Sequence, residues 1–191
     1  TGMTILHYAV CMSDTEKVKM LLEFVSEEER CSLISAQARD SCTPIHYACF
    51  NDDSRVLHVM IRLLKEETWY KLLQITIGGG ITPLQYSAFK GHTQAISNIA
   101  DSLTAQHLLH LLSIAGDVGR TPLQLAEYCG KHAAAKLLQD YQTKALMDVA
   151  LQQADQTGIV ATFNLKQIFL VYKHGFKFTG ISLCDQSFYG V

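Results

Sequence analysis

The chain has 191 residues, of which 48% are hydrophobic and 18% charged, so it can bury a continuous core and is not a disordered chain. Its formal net charge of −2 gives no electrostatic attraction for nucleic acid, and we see no stripe of lysines and arginines. No apolar run approaches the roughly 18 residues of a membrane-spanning helix. No signal peptide is visible, so we expect a cytoplasmic protein that does not itself insert into a membrane.

A short motif recurs four times at a constant interval. Threonines stand at positions 4, 43, 82 and 121, so the sequence number rises by 39 from each to the next. The stretches that follow them are Thr-Ile-Leu-His-Tyr-Ala, Thr-Pro-Ile-His-Tyr-Ala, Thr-Pro-Leu-Gln-Tyr-Ser and Thr-Pro-Leu-Gln-Leu-Ala. A threonine N-cap with proline at the first helical position is typical of a helix start. The fixed period therefore indicates an array of stacked repeats, each beginning with a helix.

The repeated motif resembles the Thr-Pro-Leu-His-x-Ala hallmark of the ankyrin-repeat family. Residues 117–123, Asp-Val-Gly-Arg-Thr-Pro-Leu, are also similar to the family's approach to that motif. The resemblance covers residues 1–157, although Gln85 and Gln124 replace histidine, Ile5 replaces proline, and the period exceeds the usual 33. It implies an all-α solenoid of helix pairs that binds other proteins and carries no catalytic residues. We therefore expect neither an enzyme nor a cofactor.

The predicted helix pairs follow one another along the chain. In the first repeat, helices are predicted over Ile5–Met12 and Thr15–Val25, the latter with an apolar face at the helical period. The second helix is predicted over Ser54–Leu64 in the second repeat and over Thr93–Leu103 in the third. The fourth repeat is predicted to contain Pro122–Tyr128 and His132–Tyr141.

Each repeat also carries extra length that predicts a short third helix. Ser26 and Glu29 have the spacing of a capping box. Apolar residues follow in register with the repeat period: Leu33, Leu72 and Leu111, and next to them Ile34, Leu73 and Leu112. In the fourth repeat, residues 143–154 occupy the same phase. We expect the apolar pair of each third helix to pack on the neighbouring repeat.

The pattern fails after residue 157. Gly158 still keeps the phase, but residues 160–163 do not match the motif. Residues 158–191 are therefore either a degenerate fifth repeat that caps the array or an unrelated tail. The chain also begins inside a repeat, which suggests a piece of a longer protein.

Several residues that could carry chemistry have a simpler structural explanation. His7 and His46 occupy the histidine position of the motif, where the resemblance implies hydrogen bonding to the neighbouring loop. His107 and His110 are three apart on one helix, but no nearby carboxylate or cysteine completes a metal site. The glycines at 78–80 lack the lysine and hydroxyl of a phosphate loop. The six cysteines have no metal-ligand spacing and indicate buried small side chains in a reducing compartment.

The candidate site is a stripe of residues that the repeat does not need for its own folding. In the ankyrin family, positions just before the threonine and at the end of the first helix face the concave surface. Large apolar residues at these positions suggest a surface for a protein partner. The alternative is that the third helices fold over this stripe and bury it. The candidate partner-binding residues are Met3, Met12, Phe50, Asn51, Ile81, Phe89, Lys90, Arg120 and Tyr128, with Cys11, Cys42 and Cys129 at equivalent positions.

We therefore predict a monomeric, non-catalytic protein-interaction module that binds a protein partner through its concave face. A second hypothesis is that the array is the cytosolic portion of a membrane protein resembling ankyrin-bearing cation channels. A transmembrane stretch downstream of Val191 in the full gene distinguishes the two.

Overall fold

Residues 2–117 and 119–157 are described in the computed structural model, and within them the backbone forms eleven α-helices. The chain divides into two compact units, Thr1–Ala150 and Leu151–Val191. The predicted domain boundary after residue 157 and the predicted fate of residues 158–191 lie outside the described part and stay predictions. The helices are α1 (Ile5–Cys11), α2 (Thr15–Glu23), α3 (Glu27–Ser35), α4 (Pro44–Phe50), α5 (Ser54–Arg62), α6 (Glu66–Leu72), α7 (Pro83–Lys90), α8 (Thr93–Asp101), α9 (Ala105–Ser113), α10 (Pro122–Tyr128) and α11 (His132–Thr157).

The four motif threonines cap α1, α4, α7 and α10, which confirms the predicted helix starts. In each, the backbone N–H of the threonine donates to the side chain three residues later, over 2.9–3.3 Å. The threonine hydroxyls of Thr4, Thr82 and Thr121 accept from the N–H of that same residue. These reciprocal bonds satisfy two of the amide groups that a helix N-terminus leaves without partners.

The first two helices of each repeat stack on those of the next. Helix α1 packs on α4, α4 on α7 and α7 on α10, while α2 packs on α5 and α5 on α8. One apolar cluster runs through these layers and contains Leu6, Ile45 and Leu84 at equivalent positions, all fully buried. Helices α1, α2, α4, α5, α7, α8 and α10 each have seven to nine residues, so each depends on its neighbours for stability.

The predicted third helix is present as α3, α6 and α9. Ile34, Leu73 and Leu111 from these helices or their ends are fully buried. Across repeats, the Trp69 indole N–H donates to the Ser102 hydroxyl over 2.9 Å, and the Thr68 hydroxyl donates to Glu27 over 3.0 Å. The third helices therefore extend the stacking interface, as the sequence predicted.

The fourth repeat differs from the prediction, because the separate helices expected over 132–141 and 143–154 are one continuous helix, α11. In the first and third repeats a side chain caps the third helix, from Ser26 and Thr104. The equivalent Thr143 instead donates its hydroxyl to the Gln139 carbonyl over 2.8 Å, a bond made inside a helix. Leu146 stands where Glu29 completes the capping box and cannot supply its acceptor. Nothing in this stretch thus stops the helix.

The other predicted helices exist but end slightly earlier. Helices α2, α5 and α8 each stop two residues before the predicted end. Arg30 accounts for the break after α2, since its guanidinium donates to the carbonyls of Leu22, Glu23 and Leu63. The last turns of α2 and α5 are thereby satisfied from the side rather than by continuing the helix.

Candidate functional site

The histidine or glutamine of each motif links one repeat to the next. The Nε2–H of His7 donates to the Cys42 carbonyl over 3.1 Å, and that of His46 donates to the Ile81 carbonyl over 3.3 Å. In the third repeat, Gln85 Nε2 donates to the carbonyls of Ile114 and Arg120 over 3.1 and 2.9 Å. The structural explanation of these residues is therefore confirmed, and glutamine performs the same task as histidine because it also has a donor beyond its acceptor.

His46 is held in the neutral form by its surroundings. Its Nδ1 accepts from the Thr43 N–H over 3.3 Å while its Nε2 donates onward, so both ring nitrogens are used by the uncharged ring. Burial lowers the pKa of His46 to about 4. A proton added at Nδ1 would oppose the Thr43 N–H, and the site thus disfavours the imidazolium.

Three aromatic rings from successive repeats remain exposed, and we call them the aromatic row: Phe50, Phe89 and Tyr128. Each lies one repeat period from the next, near the end of the first helix of its repeat. Their exposed fractions are 47%, 44% and 70%. Helix α3 packs on α6 and α4, and α9 packs on α10, yet these rings stay exposed, contrary to the alternative in which the third helices bury the stripe.

The first two rings of the aromatic row belong to a cluster around a lysine, which we call the Lys90 cluster. Phe50 and Tyr86 stack with centroids 6.0 Å apart and an interplanar angle of 27°. The Lys90 ammonium lies 5.0 Å from the Phe50 centroid, 5.9 Å from that of Tyr86 and 5.5 Å from that of Phe89. These distances are within the range of cation–π attraction. The cluster thus joins α4 and α7 across a repeat boundary.

The third ring pairs with an arginine of its own repeat. The Arg120 guanidinium carbon lies 4.0 Å from the centroid of Tyr128. The Arg120 carbonyl accepts from Gln85, which anchors the backbone below the guanidinium. Two aromatic–cation groups therefore lie in adjacent repeats, and both contain predicted site residues.

The remaining predicted site residues are placed differently. Asn51 donates to the carbonyls of Val10 and Cys11, both over 3.3 Å, and so satisfies the end of α1. Ile81 is partly buried in a tight turn, where it forms an isolated bridge with Ile77. Met3 is also partly buried. Asn51 and Ile81 thus have structural roles besides any contact with a partner.

Met12 lies apart from the aromatic–cation groups. It lines an apolar groove of about 330 Å³ on the first repeat. The groove is formed by α1 and α2, and the exposed Met20 is also part of it. Ile5, Tyr8, Ala9, Asp14, Lys17 and Leu21 complete its lining.

Tyr86 is a residue of the candidate site that was not predicted from the sequence. Tyr8, Tyr47 and Tyr86 follow one another at the repeat period, so the period itself was the available signal. The tyrosine position belongs to the helix-start motif and is not one of the positions that the resemblance places on the concave surface. In the second repeat the equivalent Tyr47 hydroxyl donates to Asp40 over 2.8 Å, which shows that this position projects beyond the core.

His107 and His110 bind a tyrosine of the preceding third helix. The His107 ring stacks on Tyr70 with centroids 3.9 Å apart, and Tyr70 Oη lies 2.8 Å from His110 Nδ1. His107 Nδ1 also lies 2.9 Å from a Glu66 carboxylate oxygen. Within the described residues, no group of three or more His, Cys, Asp or Glu side chains has an arrangement that could hold a metal ion.

The cysteines are less buried than predicted. Cys49 is buried, whereas Cys11, Cys31, Cys42 and Cys129 are partly exposed, and all five are free thiols. Burial raises the pKa of the Cys49 thiol to about 12 and that of Cys42 to about 11. Cys11 and Cys129 lie at the ends of α1 and α10, whereas Cys31 lies within α3 and Cys42 lies in the loop before α4. Cys184 lies outside the described residues.

Comparisons with known proteins point to one family. The ankyrin-repeat family model matches residues 1–26. No protein with a curated description matches the chain. None of the helices in the described part of the chain has the length and apolar character needed to cross a membrane.

Solved structures show the same fold. A chain of the crystal structure of the yeast ribosomal protein Rps3 in complex with its chaperone Yar1 is 15% identical, with a TM-score of 0.55. The alignment covers 69% of this chain and 86% of that chain. Residues 1–26 match the family model, and the stacked helix pairs that open at four motif threonines give the described part of the chain the fold of an ankyrin-repeat helical solenoid.

Proposed function

We propose that this chain is a non-catalytic interaction module that binds a protein partner through its concave face. The observation that carries the proposal is the aromatic row, whose three rings recur in register on successive repeats without being buried. Aromatic residues supply much of the binding energy at protein interfaces. A surface of this kind on a rigid stack of repeats is suited to an extended contact with another protein.

Preorganisation supports the same proposal. Hydrogen bonds from His7, His46 and Gln85 fix each repeat against the next, and Lys90 holds rings from two repeats together. A surface that is already ordered loses little conformational entropy on binding. The similar fold found in a structure that contains a ribosomal protein and its chaperone also fits an interaction role.

The proposal is tested by removing two rings of the aromatic row. Phe50→Ala with Phe89→Ala is expected to abolish binding to a partner that the wild-type chain captures from lysate, once that partner is purified and titrated directly. Both rings are about half-exposed, so we expect the free energy of unfolding to fall by about 2 kcal/mol in total. For an array of this size that is a shift of several degrees in melting temperature.

A matched control removes two exposed apolar side chains that lie outside the aromatic row. Phe24→Ala with Leu146→Ala deletes a phenylalanine and a leucine that are 84% and 53% exposed, directly after α2 and on α11. This variant is expected to bind the partner like the wild type. The proposal is wrong if the row variant keeps the partner, if both variants lose the partner equally, or if the row variant unfolds as a core mutant does.

The other expectations belong to the same proposal. We expect the chain to be monomeric, to act in the cytoplasm and to bind no nucleic acid. Sedimentation tests the first expectation, imaging in cells the second and a nucleic-acid binding assay the third. The cation-channel hypothesis is tested by the sequence of the full gene. A broad screen for hydrolase and transferase activity tests the expected absence of catalysis.

A further inference from the structure

We propose, resting on the concave-face function above, that the partner presents an acidic peptide segment in which carboxylates alternate with apolar side chains. The feature that carries this inference is a pair of cations placed over exposed rings. Lys90 lies among Phe50, Tyr86 and Phe89, and Arg120 lies over Tyr128.

Neither cation is neutralised by the described part of its own chain. Among the residues that the structure describes, the ion pairs involve other groups, and no carboxylate pairs with Lys90 or Arg120. The carboxylate of Asp40, in the second repeat, instead accepts from the Tyr47 hydroxyl and the Cys42 N–H. Two positive charges on adjacent repeats are therefore available to carboxylates from outside.

The rings set the second requirement. A cation that lies on an aromatic face leaves its outer side free to pair with an anion, while the ring edge and remaining face still expose apolar surface. Phe50 and Phe89 are about half-exposed and Tyr128 more so. A segment that supplies carboxylates to the cations and apolar side chains to the rings covers both surfaces at once. A purely acidic segment leaves the rings in water, and a purely apolar one leaves the cations unpaired.

The spacing fits a peptide rather than a single small ligand. Packed helices of adjacent repeats lie about 10 Å apart. The Lys90 cluster and the Arg120–Tyr128 pair belong to adjacent first helices, α7 and α10. An extended peptide advances about 3.3 Å per residue. It therefore bridges the two positions within a few residues.

The test uses the whole chain and three labelled synthetic peptides measured by fluorescence anisotropy. The first alternates glutamate with leucine and phenylalanine, the second has lysine in place of each glutamate, and the third has serine in place of each apolar residue. We expect the first to bind at least about tenfold more tightly than the other two, with affinity that falls as salt rises. Equal affinity for the acidic and basic peptides, or no binding of any peptide, overturns the inference.

Two charge variants locate the effect. Lys90→Gln with Arg120→Gln keeps every ring and is expected to weaken the first peptide by about tenfold or more. Lys19→Gln with Lys136→Gln removes the same charge from two exposed lysines on α2 and α11 and is expected to change binding less than about twofold. If both variants weaken binding equally, the preference reflects net charge, and the inference is wrong.

The outcomes also separate this inference from the function on which it rests. If Phe50→Ala with Phe89→Ala loses the purified partner but the acidic peptide shows no preference, the concave-face function stands and the acidic partner does not. If the row variant keeps the partner, the concave-face function itself fails.

Discussion

At the scale of single residues, His46 makes stability depend on pH. A histidine in the unfolded chain titrates near 6.5, whereas burial lowers the pKa of His46 to about 4 in the folded chain. Between these values the unfolded state binds more protons, so stability is full above pH 6.5 and falls as the pH drops toward 4. From pH 7 to pH 5 we expect His46 to cost about 2 kcal/mol of unfolding free energy.

The measurement compares denaturant melts of the wild type and His46→Gln at both pH values. Glutamine performs the equivalent task at Gln85, so this variant is expected to match the wild type at pH 7 and to lose less stability at pH 5. Leu6→Ala, which loses stability without removing a titratable group, is the control and should keep the wild-type pH dependence. An unchanged pH dependence in His46→Gln contradicts the assignment.

Three glycines allow backbone strain to be separated from close packing. Gly80 has φ +68°, and a Cβ there would lie 2.7 Å from Asp117 Oδ1 and 2.8 Å from its N. Gly119 has φ +63° with open space, and Gly78 has open space without a positive φ. We expect alanine to cost about 2–4 kcal/mol at Gly80, about 1 kcal/mol at Gly119 and nearly nothing at Gly78. Thermal melts of the three variants test the order, and equal losses at Gly80 and Gly119 would show that the contact with Asp117 is unimportant.

At the scale of helices, the position of a repeat in the stack decides how much a core loss costs. Leu84 and Leu6 are both fully buried at equivalent positions. Helix α7 packs on both α4 and α10, whereas α1 packs on α4. Each change to alanine is expected to cost about 2–5 kcal/mol, and the loss at Leu84 also uncouples the repeats on either side.

Denaturant melts followed by circular dichroism distinguish the two cases. Leu84→Ala is expected to lower the midpoint further than Leu6→Ala and to broaden or split the transition. Identical transitions in the two variants contradict nearest-neighbour coupling.

Most helices were predictable because each start carries its own chemical signal. Threonine, proline and a side-chain acceptor three residues later specify α4, α7 and α10 locally, and the period then locates α3, α6 and α9. The fusion in α11 was not predictable from the repeat period, because the local sequence at Thr143 no longer encodes the break that precedes the third helix in other repeats. The end of α2 was also not predictable from its own sequence, because Arg30 donates to the carbonyls of its last turn from outside the helix.

The candidate site was only partly predictable for a related reason. Phase along the repeat locates Phe50, Phe89 and Tyr128 near helix ends, but it gives no information on which cations lie against them. The pairing of Arg120 with Tyr128, and of Lys90 with Tyr86, depends on side-chain directions across the stack. Asn51 and Ile81 occupy the same phase of the repeat as other candidate residues, but both also have structural roles. Asn51 donates to the Val10 carbonyl, and Ile81 forms a backbone bridge with Ile77.

At the scale of the array, the bonds between repeats join residues that are nearly one period apart. The motif side chains reach 35 residues ahead, and contacts between third helices span 40 or 41. Every repeat thus contacts its neighbour through the same offsets. When a stretch of one period is removed, the two residues that become neighbours still occupy consecutive positions of the repeat.

The stack therefore tolerates the loss of one period of sequence wherever the cut begins. Removing residues 43–81 joins Cys42 to Thr82, and removing residues 57–95 joins Val56 to Ile96 in the middle of a helix, yet both deletions remove one full period and keep every phase. Both shortened chains are expected to fold cooperatively and with native-like helix content. Removing residues 57–93 instead takes out two residues fewer than a period, which turns the rest of the second helix by about 200°, and is expected to unfold the chain. Circular dichroism melts of the three deletions measure whether each shortened chain folds. When a gene is rearranged, the length of the excised segment, rather than its boundaries, therefore decides whether the shortened chain still folds.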